Sequence, residues 1–147
     1  MKAVLPMARK TYKILIVDDD KKFLAMLTAM LRSLDDHLVI ETAVSGEECL
    51  RKVKRFTPNL VFLDIGMHGM NGLVTLRFIK SIDETTQVFF LSGHSLEYLT
   101  DAVVMVPADG CFTKTQFIEI LKENMPLEMI LNSGKTKINP KKNNGIP

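Results

Sequence analysis

Cysteine is scarce and unpatterned in this 147-residue chain: Cys49 and Cys111 stand alone, outside any CxxC or Cys/His ligand spacing. Neither a zinc site nor a disulfide framework is indicated, and a reducing cytoplasm is the expected setting. Long apolar runs are missing as well. Nothing approaches the ~18 apolar residues that span a membrane. The apolar stretch near the start, Ala3-Val4-Leu5-Pro6-Met7-Ala8, is too short for a signal peptide. A soluble intracellular protein without a membrane partner is expected. There is no internal repeat, and no aromatic interleaving or recognition helix accompanies the basic residues, so direct nucleic-acid binding is not expected.

The formal net charge is only +2, from 19 basic and 17 acidic residues, but it is unevenly placed. Lys2, Arg9, Lys10 and Lys13 lie in residues 1–13, and Lys135, Lys137, Lys141 and Lys142 in residues 132–147, with no acid in either stretch. That leaves 11 basic residues against 17 acids in the body. The two ends are read as solvated tails. With 46% hydrophobic residues the chain can build one ordinary domain with a sizeable core and has no room for a second. The expected division is an N-terminal extension (1–12), a folded domain (13–131) and a basic flexible tail (132–147).

Apolar runs and helical patterns alternate along the domain. Strands are expected at Lys13–Val17, Leu38–Ala43, Leu60–Leu63, Gln87–Leu91 and Gly110–Thr113. Helices are expected at about Lys21–Leu34, from Ser45 to about Arg55, Leu73–Ile82, about Leu96–Val104 and Thr115–Met125, with a further turn at Leu127–Leu131. Ser45 with Glu48 three residues on reads as a capping box. Five strand-then-helix units in succession mean an α/β protein: a doubly wound five-stranded parallel sheet with helices on both faces, since each parallel crossover needs a helix to span it. Such a sheet places its ligand site at the carboxyl ends of its strands.

Those ends carry chemistry. Asp18, Asp19 and Asp20 follow the first strand, Asp64 ends the apolar run Leu60-Val61-Phe62-Leu63, Ser92 follows the fourth strand and Lys114 the fifth. Taken singly, each has a plain structural reading: an Asp run before a helix is an N-cap with favourable dipole placement, Ser92 a loop residue, Lys114 a solvated charge. Taken together they place several carboxylates, one hydroxyl and one ammonium at the same end of one sheet. Clustered carboxylates repel unless a cation offsets them. A hard divalent ion fits, magnesium in particular, with Asp19 and Asp64 as direct ligands, Asp18 through water and the Gly66 backbone carbonyl where the loop turns back. With the ion, Asp64 as nucleophile, Lys114 and Ser92 form a phosphoryl-transfer set.

These residues resemble the receiver domain of two-component response regulators. Ile14-Leu15-Ile16-Val17-Asp18-Asp19-Asp20 is similar to the family's first strand and acidic pair. Leu60-Val61-Phe62-Leu63-Asp64, followed by Met67, Met70, Asn71 and Gly72, is similar to its phosphoacceptor segment. Leu91-Ser92-Gly93 and Phe112-Thr113-Lys114 resemble the ends of its fourth and fifth strands. The spacings, 28 residues from Asp64 to Ser92 and 50 from Asp64 to Lys114, are ordinary for that family. The resemblance covers about Tyr12–Met125 and implies a flavodoxin-like sheet of strand order 2-1-3-4-5.

By position it implies that Asp64 accepts a phosphoryl group from a histidine kinase, a phosphotransfer protein or a small donor such as acetyl phosphate. Asp18, Asp19, Asp64 and the Gly66 carbonyl would hold magnesium, Ser92 would sense the phosphoryl group and Lys114 would bridge to it, while Asp20 caps the first helix. The only chemistry implied is the chain's own phosphorylation and dephosphorylation. A downstream protein would dock on the face around the fourth helix, fifth strand and fifth helix. A stand-alone receiver is expected, although a piece of a longer protein fits the same residues.

Three positions depart from the family pattern. His68 stands where Pro is usual, Thr115 replaces the Pro that commonly follows the lysine through a cis bond, and Cys111 takes the place of the Tyr or Phe that changes rotamer on activation. Phe112 cannot substitute, since adjacent strand residues face opposite sides, so altered coupling from Ser92 is expected. His68 and His94 are read as solvated loop side chains, and Met67 and Met70 as loop packing. Two rivals remain: a degenerate receiver that binds partners without phosphorylation, and an Asp-nucleophile phosphohydrolase of the haloacid dehalogenase type. The latter needs a second Asp two residues after the nucleophile, where this chain has Gly66.

Overall fold

The computed structural model describes residues 11–93 and 107–135. The helix expected at Leu96–Val104 and His94 lie outside the described residues. Within them, β1 (Tyr12–Val17), β2 (Leu38–Ala43), β3 (Leu60–Asp64), β4 (Gln87–Ser92) and β5 (Gly110–Thr113) form one parallel sheet in the order β2-β1-β3-β4-β5. The helices are α1 (Lys21–Leu34), α2 (Gly46–Phe56), α3 (Gly72–Ile82), α4 (Lys114–Leu121) and α5 (Leu127–Gly134). The order is the doubly wound, flavodoxin-like one. None of the helices described is long and apolar enough to cross a membrane.

The central strands are continuous apolar runs because both faces of a parallel sheet are covered. One face carries Ile14, Ile16, Leu60, Phe62, Phe89, Leu91 and Phe112 under α1, α4 and α5. The other carries Leu15, Val17, Val61, Leu63, Val88 and Phe90 under α2 and α3. The first face is centred on Phe62, Phe89, Phe112 and Phe117, whose ring centroids lie 4.8–6.4 Å apart. Three of these pairs are tilted and the fourth, Phe89 with Phe112, is stacked, arrangements that suit aromatic quadrupoles.

Helix starts follow local capping chemistry. The Asp20 carboxylate accepts from Lys22 N and Phe23 N, Asn71 accepts from Val74 N, and Thr113 accepts from Gln116 N. The expected capping box is half present. Ser45 Oγ accepts from Glu48 N at 3.1 Å, but the Glu48 carboxylate accepts from Val44 N at 3.2 Å instead of from the cap residue itself. Lys52 Nζ lies 3.1 Å from Glu48 Oε1 and helps hold that carboxylate over the turn.

The C-terminal part differs from expectation. The helix after β5 ends at Leu121 rather than Met125, because Asn124 adopts a left-handed conformation and Pro126 starts a new helix. That helix, α5, runs past Leu131 to Gly134, and Lys135 makes an antiparallel bridge with Gly110. Residues 132–135, expected in the tail, are thus held against the sheet. Ile130 is fully buried and Leu131 nearly so. The close approach depends on two glycines: a Cβ on Gly134 would meet the Phe112 ring at 2.1 Å, and one on Gly110 would meet Gly134 O at 2.2 Å.

Gly134→Val should therefore undock α5 from β5. The expected outcome is a stability loss of about 1–3 kcal/mol in urea denaturation, as for overpacking generally. Hydrogen exchange should rise across residues 127–134, while β1 amides stay protected.

Candidate functional site

Strand alternation and register build the site. In the row that faces α1, Ile14 and Ile16 lead to Asp18, Leu60 and Phe62 lead to Asp64, and Phe112 leads to Lys114. Val17 is level with Leu63, so Asp18 and Asp64 leave their strands side by side. Lys114 follows β5 directly, as the first residue of α4. The same period of two that packs the core therefore sets two acids and one base at one edge of it. Both acids are almost completely buried, with Asp18 at 1% and Asp64 at 7% exposure, whereas Asp19 is exposed.

Lys114 Nζ lies 2.6 Å from Asp18 Oδ2 and 3.6 Å from Asp64 Oδ2, and 4.6 Å above the Phe23 ring. Asp18 Oδ1 accepts from Asp20 N at 2.9 Å and Asp64 Oδ1 from Gly66 N at 3.1 Å. Carboxylate oxygens of Asp18, Asp19 and Asp64 lie within 4.8 Å of one another, a grouping that could hold a metal ion. One ammonium thus faces two buried carboxylates and sits closer to Asp18. Burial raises the Asp64 pKa, and the Asp18 charge adds to the rise; the Gly66 N–H and Lys114 only partly offset it. Burial works against the Lys114 ammonium, but its pairing with Asp18 and Asp64 outweighs that and holds its pKa above the usual lysine value.

Ser92 is buried at the end of β4, one residue beyond Leu91, which is level with Asp64. By alternation it belongs to the opposite row, with Val88 and Phe90, and Cys111 pairs with Phe90 in that row. Cys111 is half-buried against the α2–α3 face while Phe112 is buried on the other. The expectation that Phe112 cannot replace an aromatic at position 111 agrees with this division. Asp20 is an N-cap, as expected. The loop after β3 is closed by Gly72 N donating to Ile65 O at 3.2 Å, and a Cβ on Gly72 would meet Asp64 O at 2.5 Å. Met67 is buried in the loop's base.

Three contributors were not legible in the sequence. Phe23 reads as a core position of α1, yet its face carries the Lys114 ammonium. Gly72 reads as the residue before a helix, yet it opens α3 and lets that helix approach the Asp64 backbone. His68 reads as an exposed side chain, which it is, but its backbone N–H donates to Asp19 Oδ2 at 3.3 Å. A proline there has no N–H to give, so the departure from the usual residue adds a hydrogen bond to the acidic cluster.

A carboxyl whose folded-state pKa is raised binds its proton more tightly in the folded chain, so it costs stability once pH exceeds its unfolded value of about 4. Without divalent cations, Asp64→Asn is expected to raise Tm by a few degrees at pH 7. The gain should vanish as pH falls below about 4, where the wild-type carboxyl is protonated in both states. Thermal unfolding across pH in the presence of a chelator checks this.

Residues 14–125 match the sequence model of the response regulator receiver domain. A protein-glutamate methylesterase/protein-glutamine glutaminase of Clostridium acetobutylicum is 40% identical over 83 residues, which are 56% of this chain and 24% of that protein. The signal receiver domain of a DNA binding response regulator from Colwellia psychrerythraea superposes with a TM-score of 0.69 at 28% identity, covering 82% of this chain and 98% of that one. A chain of the CheX-CheY-BeF3-Mg+2 complex from Borrelia burgdorferi gives 0.65 at 25% identity, covering 78% of this chain and 90% of that one. The chain spans less than two-thirds of the length of its curated relatives, 24% in one case and 60% in another. With the match running from β1 through α4, over most of the chain, this chain belongs to the response regulator receiver domain family of two-component signalling.

Proposed function

We propose that the switch of this receiver is an acyl phosphate on Asp64, formed and lost through the chain's own side chains and limited to that self-modification. The observation that carries the proposal is the convergence of the buried Asp64 and Asp18 carboxylates on the single Lys114 ammonium. A carboxylate oxygen of Asp64 attacks the phosphorus of a phosphohistidine or of acetyl phosphate. The P–O bond to Asp64 forms as the bond to the imidazole nitrogen or the acetate oxygen breaks, and the leaving group departs with the bonding pair. Lys114 lies 3.6 Å from Asp64 Oδ2, close enough to neutralise a phosphoryl oxygen on that side. Ser92 supplies a hydroxyl at the end of the adjacent strand. Burial slows water's attack on the product and sharpens each charge interaction.

The donor set fits a hard divalent cation, because two buried carboxylates and a nearby third share one ammonium and leave negative charge uncompensated. Asp18, Asp19, Asp64 and the Gly66 carbonyl would hold magnesium, which when bound supplies neutralisation of carboxylate and phosphoryl oxygens. The His68 N–H orients Asp19 toward the cluster. The reading implies a histidine kinase or phosphotransfer protein as donor, a downstream protein as reader on the face around β5 and α4, and a cytoplasmic setting. With Cys111 half-buried where an aromatic rotamer switch is usual, the modification must be read without that ring.

Intact-mass spectrometry after incubation with acetyl phosphate and magnesium should show a single phosphoryl adduct on the wild type and none on Asp64→Asn. A folded wild type that never forms the adduct would rule the switch out. Lys114→Ala leaves the Asp18 and Asp64 carboxylates facing each other. Its Tm in chelator should drop by several degrees, with most of the loss recovered by millimolar magnesium, as differential scanning fluorimetry would read.

A further inference from the structure

Apart from the site, the described surface carries one ordered apolar row on a helix. In α3, Val74, Phe78 and Ile82 are 39%, 49% and 38% exposed and recur every fourth residue, in a row beside the buried Thr75 and Ile79. An amphipathic helix has no packing reason for this second apolar row, and three large side chains in line make a patch rather than scattered exposure.

Contacts between helices show which way the row leans. Gly46, at the start of α2, packs against Thr75 and Met70, so the Gly46, Leu50, Lys54 row of α2 faces α3. On α3 the facing row is Thr75, Phe78, Ile82. Leu50 is half-buried on the core below. By helical spacing the facing rows of the two helices carry the half-buried Leu50 and the exposed Lys54 from α2, and Phe78 and Ile82 from α3. Val74 and the exposed Arg77 lie on the outer side of the α3 row.

The charges around these rows are unequal. Arg51, Lys54 and Arg77 are exposed and have no ion-pair partner among the described residues. Their neighbours Lys52, Arg55 and Lys80 are paired with Glu48, Glu41 and Asp109. The nearby acids lie toward the ends of the two helices, Glu47 in the first turn of α2 and Asp83 and Glu84 after α3. A second copy of the chain laid symmetrically on this face would bring three cations against three cations. The chain's own ends are basic and complement it no better.

We infer that the α2–α3 face is a docking groove for an amphipathic helix of another protein, with acidic residues flanking apolar anchors spaced i, i+4. The anchors would cover Val74, Phe78 and Ile82, and the acids would meet Arg51, Lys54 and Arg77, the helix-in-groove mode with a charged rim. The inference goes beyond phosphorylation and does not depend on Asp64. The groove lies on the sheet face that carries Cys111, opposite the one built around Phe112.

The test uses a displayed library of randomised sixteen-residue helical peptides, selected against the full chain and against Asp64→Asn. Enriched peptides are expected to be net acidic with apolar residues at i, i+4 spacing, and to bind both baits alike. They should lose at least about tenfold in affinity on Phe78→Glu and on the combined Arg51→Glu, Lys54→Glu change. Both are surface changes, so unchanged thermal unfolding will show that the variants fold. Methyl resonances of Val74 and Ile82 should shift on titration. Absence of enrichment, cationic consensus peptides, undiminished binding by Phe78→Glu, or sedimentation showing a dimer that Phe78→Glu dissolves would each overturn the inference. Loss of binding on Asp64→Asn alone would overturn its independence from the switch.

Discussion

Two carboxylates buried side by side, with one ammonium between them, is the condition on which the rest of this molecule turns. The sheet forces it: once Val17 and Leu63 pair in register, Asp18 and Asp64 must leave their strands as neighbours. Burying two like charges is unfavourable unless something of opposite sign is supplied. Lys114 supplies part, and it leans toward Asp18, 2.6 Å against 3.6 Å. Asp64 is left the less compensated of the two, and burial with the Asp18 charge raises its pKa.

Around that imbalance, secondary structure acts as scaffolding of unequal stiffness. β1, β3 and β4 are buried on both faces, and the aromatic group of Phe62, Phe89, Phe112 and Phe117 sits directly beneath the acids. Asp18 and Asp64 are therefore fixed by the stiffest part of the chain. Lys114 comes from the shortest strand and the first turn of α4, with its ammonium resting on Phe23 and its partners within reach on either side.

Much of this was legible in the sequence because it depends on period and punctuation. Continuous apolar runs gave the strands, Asp20 and Ser45 marked helix starts, and the polar residue after each run marked the site. What could not be read depends on contacts between distant segments. Phe23 is one more apolar position of α1 until Lys114 is placed over it. His68 looks like a loop side chain, yet it acts through the backbone, which carries no mark in the sequence beyond not being proline. α5 was underestimated because Asn132, Ser133, Gly134 and Lys135 have the composition of a tail. Gly134 is a glycine for contact with the Phe112 ring, and only the fold shows that contact.

The bridge between Gly110 and Lys135 places Lys135 at the start of β5. Gly110 opens β5 and Lys114 follows it, four residues on, so with a rise of ~3.3 Å per residue the two lie roughly 13 Å apart along the strand. Lys135 is therefore held at the pole of the sheet opposite the acidic cluster. A fluorophore, tag or tethered protein attached there would report on or cluster these molecules without standing in the doorway of Asp64. The Phe112 ring, against which Gly134 of α5 is set, lies on β5 between the two poles.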